Sequence, residues 1–590
     1  MASGSDYLAR AEELYRAARL EEAIKMAQRA VAAEPGNVQA NWALGQMLSG
    51  ASRHPQAEFY LSKVVQLSPR FVTARVALSR VLAALGKPAE ALAAADEALA
   101  IEPGSPAAQL ARASVLASRQ RYGEAIAAMD EADRLAPGEP AFHLRTALMA
   151  ELGKCDQWLY ERLGSSAAAA AGPEGVNPWA YYACACSRLS AEELAAVHRR
   201  VGDEVAGWPL PPGAAEPLRN APDPERVLRV GFVSSDICEH PVAYFLEPLL
   251  EHLDRTRARS TLYINCDRGD EMTKRLCGHA ESHRMVAGLS ETALAKRVRD
   301  DGIDVLVDLA GHTDGSAALM FRSRLAPVQV NWLGYPHSTG LRCFEGRLVD
   351  SSTDPAGSER LASEPLVRLD PCFICYKPPG VSPDVPVRSE GPPTFGSFNS
   401  LWKLSDATAA LWARVLEATP GSRLLLKGGA FADAWAREQF AARFAALGVD
   451  RQRLELIGRT PGTAPHLALY GRVDVALDPT PYNGTTTTCE AMHMGVPVVT
   501  LAGDRHGARV GMTLLRGVGL DELVAPTADA YVEIAAGLAG DGAKLAELRR
   551  TLRSRLAGSV VCDGPAFARR FEGGVRGLWR AWCQGRTDGG

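Results

Sequence analysis

The chain has 590 residues, of which 47% are hydrophobic, and a formal net charge of −4 at pH 7. This length predicts roughly three or four domains, and the apolar fraction is ample for their buried cores. The slightly acidic balance argues against a general nucleic-acid binder and against a protein that docks on anionic membranes. No uninterrupted apolar run is long enough for a transmembrane helix, so none is expected.

The first residues and the cysteines indicate a cytoplasmic protein. The chain starts with neither a basic stretch nor an apolar stretch of the kind found in secretory signals. Its 12 cysteines are scattered, and only Cys184 with Cys186 and Cys372 with Cys375 stand close together. No further Cys or His completes a zinc-ribbon spacing around these pairs. We therefore expect reduced, mostly buried thiols and no bound metal.

A repeat of 34 residues occupies the first third of the chain. Prolines recur with this period, and an alanine stands twelve residues before each: Pro35, Pro69, Pro103 and Pro137, with Ala23, Ala57, Ala91 and Ala125. Small residues let two helices pack closely, and a proline ends the second helix of each unit. This pattern is typical of the tetratricopeptide repeat. We predict an α-solenoid of these repeats over residues 6–163.

Stacked repeats build a concave surface that binds an extended peptide or a partner protein. We therefore expect a protein partner in the groove of the repeats. The alternative is a spacer arm or a surface for forming a homodimer, and both roles can coexist with partner binding.

A helical linker is predicted over residues 164–226. It opens with a low-complexity stretch at 165–173 and includes a helical pattern at 191–205. A proline-rich segment at 208–217 then marks the boundary of the next domain.

From residue 227 onward, short apolar strands alternate with helical segments such as 291–301, which predicts α/β structure. The first set, in a lobe over 227–388, is expected at 228–234, 261–264, 305–309 and 328–332. The second set, in a lobe over 389–585, is expected at 394–398, 423–426, 454–457, 473–477 and 496–500. Two doubly wound parallel sheets place ligands outside the carboxyl ends of their strands, so we expect a site between two Rossmann-like lobes.

Residues 478–490, which we term the threonine turn, lead from a strand into a helix. Asn483-Gly484 is a turn dipeptide that tolerates positive φ, four threonines follow, and Gly495 is expected to end the helix. Free N–H groups and the positive dipole end at a helix start suit a diphosphate. Glu490 lies about one turn further and is better placed to accept hydrogen bonds from sugar hydroxyls. The turn predicts a nucleotide-sugar site; the alternative is an ordinary strand–loop–helix unit with a threonine-rich cap.

Three further polar loops follow predicted strands. His240 ends the loop 234–240, His312 lies in the glycine-bounded loop 310–315, and Lys403 precedes a helix that Ser405 caps. Each residue alone is more often a surface or capping group. Together, at the carboxyl ends of two facing sheets, they predict one catalytic cleft.

The repeats combined with these loops resemble the O-linked N-acetylglucosamine transferase family, which includes the plant SPINDLY proteins and many bacterial members. The similarity covers the repeats and, among others, the stretches 231–241, 311–313, 324–336, 398–403 and 483–490. The resemblance implies a GT-B fold after the solenoid. It also implies inverting, metal-independent transfer of a sugar to Ser or Thr hydroxyls of proteins.

The resemblance also implies roles for individual residues. Lys403 looks like the lysine that neutralises the leaving diphosphate, and Thr486 and Thr487 look like the threonines that hold the phosphates. Glu490 stands where the family has an acidic residue on the ribose, and His466 matches a histidine near the base. The remaining expected site residues are His240 near donor and acceptor, His312 in a Gly-His-Thr motif, and Asn399, Asn483, Gly484 and Thr485 around the donor.

The sequence departs from the human-type members of the family at three places. Thr485 replaces a histidine, Glu490 replaces an aspartate, and Ser400-Leu401-Trp402 replaces Gln-Leu-Tyr. The donor therefore stays open. UDP-N-acetylglucosamine is expected first, with GDP-fucose, or a CMP-nonulosonic acid used on flagellin, as alternatives. No cofactor is expected besides the donor.

Other functions and the general base also stay open. The rival functions are a repeat scaffold with an inactive transferase-like domain, and an enzyme acting on small glycans or on the nucleotide sugar itself. The general base is His240, a water chain or a phosphate oxygen of the donor.

Overall fold

A computed structural model describes residues 3–16, 19–51, 53–136, 142–162, 178–214, 216–266, 269–385 and 391–587. The chain divides into two compact units. One is Met1–Leu148 with Ala432–Ala436, and the other is Met149–Phe431 with Arg437–Gly590. Within the described residues, no helix combines the length and the apolar character needed to cross a membrane.

The first unit is built from pairs of packed helices, each pair forming one repeat. The pairs are α1 (Gly4–Arg16) with α2 (Leu20–Ala33), α3 (Val38–Gly50) with α4 (His54–Leu67), α5 (Val72–Ala84) with α6 (Pro88–Ile101), and α7 (Pro106–Ser118) with α8 (Tyr122–Leu135). Helix α9 (Phe142–Glu151) follows. The predicted α-solenoid is thereby confirmed.

Small residues explain why these helices pair so closely. The alanines of the 34-residue period all lie in the second helix of a pair with 0% exposure: Ala23, Ala57, Ala91 and Ala125. A Cβ added to Gly45 would stand only 2.9 Å from the Leu61 side chain. Pro35, Pro69 and Pro103 each follow the end of a second helix, as predicted. Pro137 lies outside the described residues.

Helix α10 (Cys155–Arg162) lies just before the predicted linker, and the described part of the linker contains α11 (Pro178–Ala183) and α12 (Ala191–Gly207). Helix α12 confirms the helical pattern at 191–205. It begins with a capping box in which the side chains of Ser190 and Glu193 satisfy each other's backbone N–H groups. The low-complexity stretch at 165–173 lies outside the described residues.

The first sheet has seven parallel strands in the order β3-β2-β1-β4-β5-β6-β7. The strands are β1 (Leu228–Ser234), β2 (Ala258–Ile264), β3 (Ser282–Met285), β4 (Val305–Asp308), β5 (Val328–Asn331), β6 (Gly346–Val349) and β7 (Leu366–Arg368). Its helices are α13 (Pro241–His252), α14 (Glu271–His279) and α15 (Glu291–Asp300).

The second sheet has six parallel strands in the order β10-β9-β8-β11-β12-β13. The strands are β8 (Thr394–Ser397), β9 (Arg423–Lys427), β10 (Leu454–Ile457), β11 (Val475–Leu477), β12 (Val498–Leu501) and β13 (Val524–Ala525). Its helices are α16 (Asp406–Ala418), α17 (Ala434–Ala445), α18 (Thr463–Ala468), α19 (Thr486–His493), α20 (Val510–Val518), α21 (Ala528–Gly540) and α22 (Gly542–Ala557).

The two strand orders share one feature that places the site. In each sheet the second and third strands are added on one side of the first strand, and all later strands are added on its other side. The direction of strand addition therefore reverses between β1 and β4 and between β8 and β11. Ligands of doubly wound sheets bind at the carboxyl ends of the strands at this reversal. The two predicted Rossmann-like sheets are thus confirmed, and the loops predicted to carry His240, His312, Lys403 and Thr486 follow these four strands.

The last helix, α23 (Gly564–Thr587), returns from the second lobe to the first. It packs against α13 and β5, with the rings of Trp332 and Phe567 5.7 Å apart and those of Phe232 and Phe571 5.9 Å apart. The end of the chain therefore covers one face of the first sheet. The boundaries predicted for the two lobes stay predictions.

Candidate active site

A cavity of about 390 Å³ opens where the carboxyl ends of the two sheets face each other. Loops after β1, β5, β8 and β11, with residues from α11, α13, α18 and α19, form its wall. Its lining includes most of the predicted site residues, namely His240, Asn399, Lys403, His466, Thr485, Thr486, Thr487 and Glu490. Asn483 and Gly484 lie directly behind Thr485 in the threonine turn.

The Asp478 side chain holds the threonine turn in place through two hydrogen bonds. One of its carboxylate oxygens accepts a 2.6 Å hydrogen bond from the Gly484 N–H, and the other accepts a 2.6 Å bond from the Thr500 hydroxyl. Burial raises the pKa of Asp478 to about 7, although these bonds and the charge of Lys403 act to lower it. Asp478 is the first residue of the threonine turn, but nothing in the local sequence indicates that its carboxylate would hold Gly484 and Thr500.

Gly484 is required for space. It is absent from the described glycines with positive φ, so the tolerance of the Asn483-Gly484 dipeptide for positive φ is not used here. A Cβ at this position would stand 2.5 Å from Thr487 Oγ1 and 2.9 Å from Asn399 Oδ1. The backbone passes so close to these side chains that only glycine fits without displacing them.

Helix α19 begins at Thr486, as predicted, and presents its start to the cavity. The Thr487 hydroxyl donates a 2.8 Å hydrogen bond to Asn399 Oδ1, which ties the helix start to the loop after β8. The helix ends before Gly495, whose φ of +74° suits a glycine at a helix end. The unpaired N–H groups of the first turn therefore remain available to an anion.

Lys403 lines the same cavity. Its ammonium donates a 2.9 Å hydrogen bond to the Asn483 carbonyl and lies 3.9 Å from the centre of the Tyr482 ring. Burial lowers the pKa of Lys403 to about 8, and the nearby charge of Asp478 partly opposes that effect. A cation and a helix start thus share one cavity, which is the arrangement that a diphosphate requires.

Glu490 belongs to a hydrogen-bonded chain at one end of the cavity. Its Oε2 accepts hydrogen bonds from His466 Nε2 at 3.0 Å and from the Tyr470 hydroxyl at 3.2 Å. Lys427 donates a 2.6 Å bond to His466 Nδ1, which fixes the ring with its proton on Nε2. The carboxylate is therefore held in place by side chains and does not point at the helix start.

His240 is the N-cap of α13 and lies half-exposed at the cavity wall. Its Nδ1 accepts a 3.3 Å hydrogen bond from the Val242 N–H, and Asp236 lies 3.7 Å away. A neutral ring in this arrangement carries its proton on Nε2. Nε2 is then a hydrogen-bond donor.

His312 is not brought to the cavity with the other residues. It is 1% exposed, and its Nε2 donates a 2.6 Å hydrogen bond to the Thr339 carbonyl. Burial lowers the pKa of His312, and its ring packs against Tyr335 and His198. In this arrangement His312 cannot touch a substrate, because the loop after β4 folds its side chain into the lobe.

Aromatic side chains that the sequence analysis did not select complete the wall. Tyr181 of α11 and Trp402 pack with ring centres 4.7 Å apart, and Trp402 and Tyr482 with centres 4.9 Å apart. Trp402 and Tyr482 neighbour Lys403 and Asn483 in sequence, and that adjacency could have identified them. Tyr181 comes from the linker, where no local signal marks it.

Comparisons with known proteins agree with this architecture. The model of the family described as "Glycosyl transferase family 41" matches residues 216–376 and 390–570, and a tetratricopeptide-repeat model matches residues 8–70 and 76–140. A solved structure of a variant of the Thermobaculum terrenum O-GlcNAc transferase aligns with a TM-score of 0.64 and 30% identity. That alignment covers 99% of this chain and 98% of the other, and it confirms the predicted solenoid followed by a GT-B fold.

Plant proteins are similar over about three-fifths of the chain. The chain is 40% identical over 375 residues to the "Probable UDP-N-acetylglucosamine--peptide N-acetylglucosaminyltransferase SPINDLY" of Arabidopsis thaliana, covering 62% of this chain and 41% of that protein. It is 28% identical over 373 residues to the SEC protein of the same plant, covering 61% and 38%. The chain thus spans about two-fifths of the length of these relatives. The resemblance inferred from the motifs is confirmed.

Proposed function

The chain belongs to glycosyl transferase family 41, and we propose that it is a protein O-glycosyltransferase that moves a sugar from a nucleotide sugar to Ser or Thr hydroxyls. One observation carries the proposal. Lys403, the start of α19 and the fixed carboxylate of Glu490 line a single cavity between two Rossmann-like sheets.

The chemistry follows from where charge develops. As the bond to the anomeric carbon breaks, the diphosphate gains negative charge and the sugar becomes cationic. The Lys403 ammonium, the α19 amides and the threonine hydroxyls are placed to stabilise the diphosphate. Removal of one such preorganised donor typically costs on the order of 3 kcal/mol of transition-state stabilisation.

We propose UDP-N-acetylglucosamine as the donor. The printed names of the plant relatives, which refer to this donor, support the choice. Glu490 and His466 line the same cavity as Lys403, and the family resemblance assigns them to the ribose and the base. GDP-fucose and a CMP-nonulosonic acid remain competitors for the experiment to separate.

Single displacement with inversion is the stereochemistry that the cavity favours. Among the described lining residues Glu490 is the only carboxylate, and His466 and Tyr470 already hold it. No lining carboxylate is therefore placed as a covalent nucleophile of the kind that retaining enzymes use. In metal-dependent transferases a divalent cation supplies the positive charge beside the diphosphate. Here Lys403 supplies that charge, so we propose transfer without a metal.

His240 serves better as a hydrogen-bond donor to the substrate than as the general base. With Nδ1 accepting from the Val242 N–H, the neutral ring carries its proton on Nε2 and keeps no lone pair to take the acceptor's proton. A water chain or a phosphate oxygen of the donor would then take the acceptor's proton.

The repeats support a protein acceptor. Tetratricopeptide repeats generally bind proteins, and a concave surface of stacked helix pairs suits an extended peptide. We propose that the acceptor lies along this groove. Flagellin as the acceptor and a homodimer through the repeats stay predictions from the sequence.

Transfer of a labelled sugar tests the proposal. The protein is incubated with a cell lysate and labelled UDP-N-acetylglucosamine, GDP-fucose or a CMP-nonulosonic acid, each with and without EDTA. We expect label on Ser or Thr from the uridine donor, unaffected by EDTA and slowed about 100- to 1000-fold, but still measurable, in Lys403→Ala. Lys296→Ala is the matched control, because that lysine is 72% exposed and its ion pair among the described residues is with Asp300 of its own helix.

The outcomes separate the rivals. No label from any donor, together with no affinity for UDP, GDP or CDP in calorimetry, would favour a repeat scaffold. Hydrolysis or epimerisation of the donor without any protein acceptor would favour an enzyme acting on the nucleotide sugar itself.

A further inference from the structure

A buried hydrogen bond joins the two lobes beside the cavity. His506 lies in the turn His506–Ala508 between β12 and α20 of the second lobe, and Asp354 lies between β6 and β7 of the first. His506 Nδ1 is 2.5 Å from Asp354 Oδ2, and the two side chains are 4% and 8% exposed. We term these two residues the interlobe pair.

In this pair the His506 ring donates its Nδ1 proton to the Asp354 carboxylate. Burial alone would raise the pKa of Asp354, but His506 and Arg347 lower it to about 2. Burial and the positive charge of Arg347 lower the pKa of His506. The Nδ1 proton therefore stays on the ring and fixes its orientation.

The turn that carries His506 also holds the threonine turn. The Gly507 carbonyl accepts a 2.8 Å hydrogen bond from the Asn483 N–H. A Cβ on Gly507 would stand 3.1 Å from the Pro336 carbonyl of the first lobe and 3.8 Å from the Pro481 carbonyl of the second. The turn His506–Ala508 thus packs between the two lobes at the residue, Gly507, that bonds to Asn483.

Asn483 connects the turn His506–Ala508 to the active-site lysine. Its side chain is held at both polar atoms, since Oδ1 accepts from the Gly511 N–H at 3.2 Å and Nδ2 donates to the Pro479 carbonyl at 2.8 Å. Its own carbonyl accepts the 2.9 Å bond from Lys403 Nζ. An unbroken path of contacts therefore leads from Asp354 of one lobe to the ammonium that faces the diphosphate.

We propose that the interlobe pair is a positioning device that sets the Asn483 carbonyl, and through it Lys403, against the leaving diphosphate. The inference rests on the proposed function and deepens it. The lysine that stabilises the leaving group is held by both lobes, so its placement depends on their junction and not on the second lobe alone.

Steady-state kinetics of His506 variants test the device. His506→Leu keeps bulk but removes the donor, and we expect kcat to fall about 10- to 100-fold, since small misplacements of catalytic groups cost this much. The KM for the protein acceptor should change less than about twofold. His506→Asn places an amide donor near the position of Nδ1 and should recover most of kcat. Failure of His506→Asn to recover activity would overturn the proposal.

A double-substitution cycle separates positioning from general stability. If the pair acts through Lys403, adding His506→Leu to Lys403→Ala should slow transfer no further than Lys403→Ala alone. Independent losses that multiply would overturn the inference, because they would show that the pair acts elsewhere.

Thr513→Val is the matched control. The Thr513 hydroxyl donates a buried 2.7 Å hydrogen bond to Asp350 and also joins the lobes, but no hydrogen bond links it to Asn483. We expect its kcat within about twofold of the wild type, on the scale of an independent site. An equal loss in Thr513→Val would mean that any interlobe contact matters, and would overturn the specific role of the pair.

A second variant and the wild-type chain cover the cases in which His506→Leu does not fold or the chain is inactive. Should His506→Leu unfold, Asp354→Asn must show the same fall in kcat with unchanged acceptor KM, and normal kinetics in that variant would overturn the proposal. Absence of transfer and of nucleoside diphosphate binding in the wild-type chain would overturn the proposed function and the inference together. An active wild type with unaffected variants would overturn the inference alone.

Discussion

Lys403 combines a positive charge with burial, and this combination is the main property of the site at the scale of single residues. The ammonium lies against the Tyr482 ring and the Asn483 carbonyl. A charge in such surroundings interacts strongly with a diphosphate but loses its proton more easily than in water.

The pH dependence of the reaction should report this lysine. Burial lowers the pKa of Lys403 to about 8, so the ammonium is present below that pH and lost above it. We expect kcat/KM for the donor to fall as pH rises through about 8, because this parameter follows ionisations of the free enzyme. Stopped assays from pH 6 to about 10 measure it.

Lys403→Arg is the control for this profile. Arginine keeps its charge across the whole range, so any remaining activity of that variant should lack the descending limb. A wild-type profile that stays level to about pH 10 would contradict the assignment of Lys403 as the required cation.

Several residue roles could be predicted from the sequence, and others could not. Lys403, Thr486 and Glu490 follow strands in loops with recognisable local chemistry, and the structure brings them to one cavity. Asp478 and Tyr181 act through contacts with residues remote in sequence or from another segment, which no local pattern encodes. His312 has the same local signal as His240, and only its burial against Thr339 distinguishes the two.

At the scale of elements, the threonine turn depends on the absence of a side chain at Gly484. We predict that Gly484→Ala lowers affinity for the nucleoside diphosphate at least about tenfold, on the scale of a lost donor in a preorganised anion site. The added Cβ would stand 2.5 Å from Thr487 Oγ1 and would push the start of α19 out of place. Calorimetry with UDP measures the change.

Gly36→Ala is the matched control for the turn. No atom lies within 4 Å of a Cβ at Gly36, so this variant should bind UDP like the wild type. Equal affinity in Gly484→Ala would contradict the idea that close approach of the backbone shapes the anion site.

The repeat helices give a second prediction at this scale. Ala91 is fully buried between helices, whereas Ala93 of the same helix is exposed. Ala91→Leu should reduce the free energy of unfolding of the repeats by about 1–3 kcal/mol through overpacking, and Ala93→Leu should change it little. Urea unfolding followed by circular dichroism tests this, and equal effects of the two substitutions would contradict the packing derived from the 34-residue period.

Strands were predictable where their side chains are apolar on both faces. Strand β1 has the predicted bounds, and every residue in it except Arg229 is buried. Strand β3 was missed because Ser282, His283 and Arg284 are polar and the whole strand is partly exposed at the edge of the sheet. Strands β7 and β13 were missed because three and two residues are too short to show a period.

At the scale of the whole molecule, the order of elements carries most of the functional argument. The alternation of strands and helices predicts two parallel sheets, and their strand orders then fix which loops face the ligand. The return of α23 to the first lobe could not be predicted, because its partners Trp332 and Phe232 lie far back in the chain. The same holds for the junction between the lobes at His506 and Asp354.

A crystal structure with a bound nucleoside diphosphate tests the central claim most directly. We predict both phosphate groups in the cavity, with oxygens about 3 Å from Lys403 Nζ and from the backbone nitrogens at the start of α19, as hydrogen bonding requires. A diphosphate bound elsewhere on the protein, or an empty cavity at a saturating concentration of UDP, GDP and CDP in turn, would contradict it.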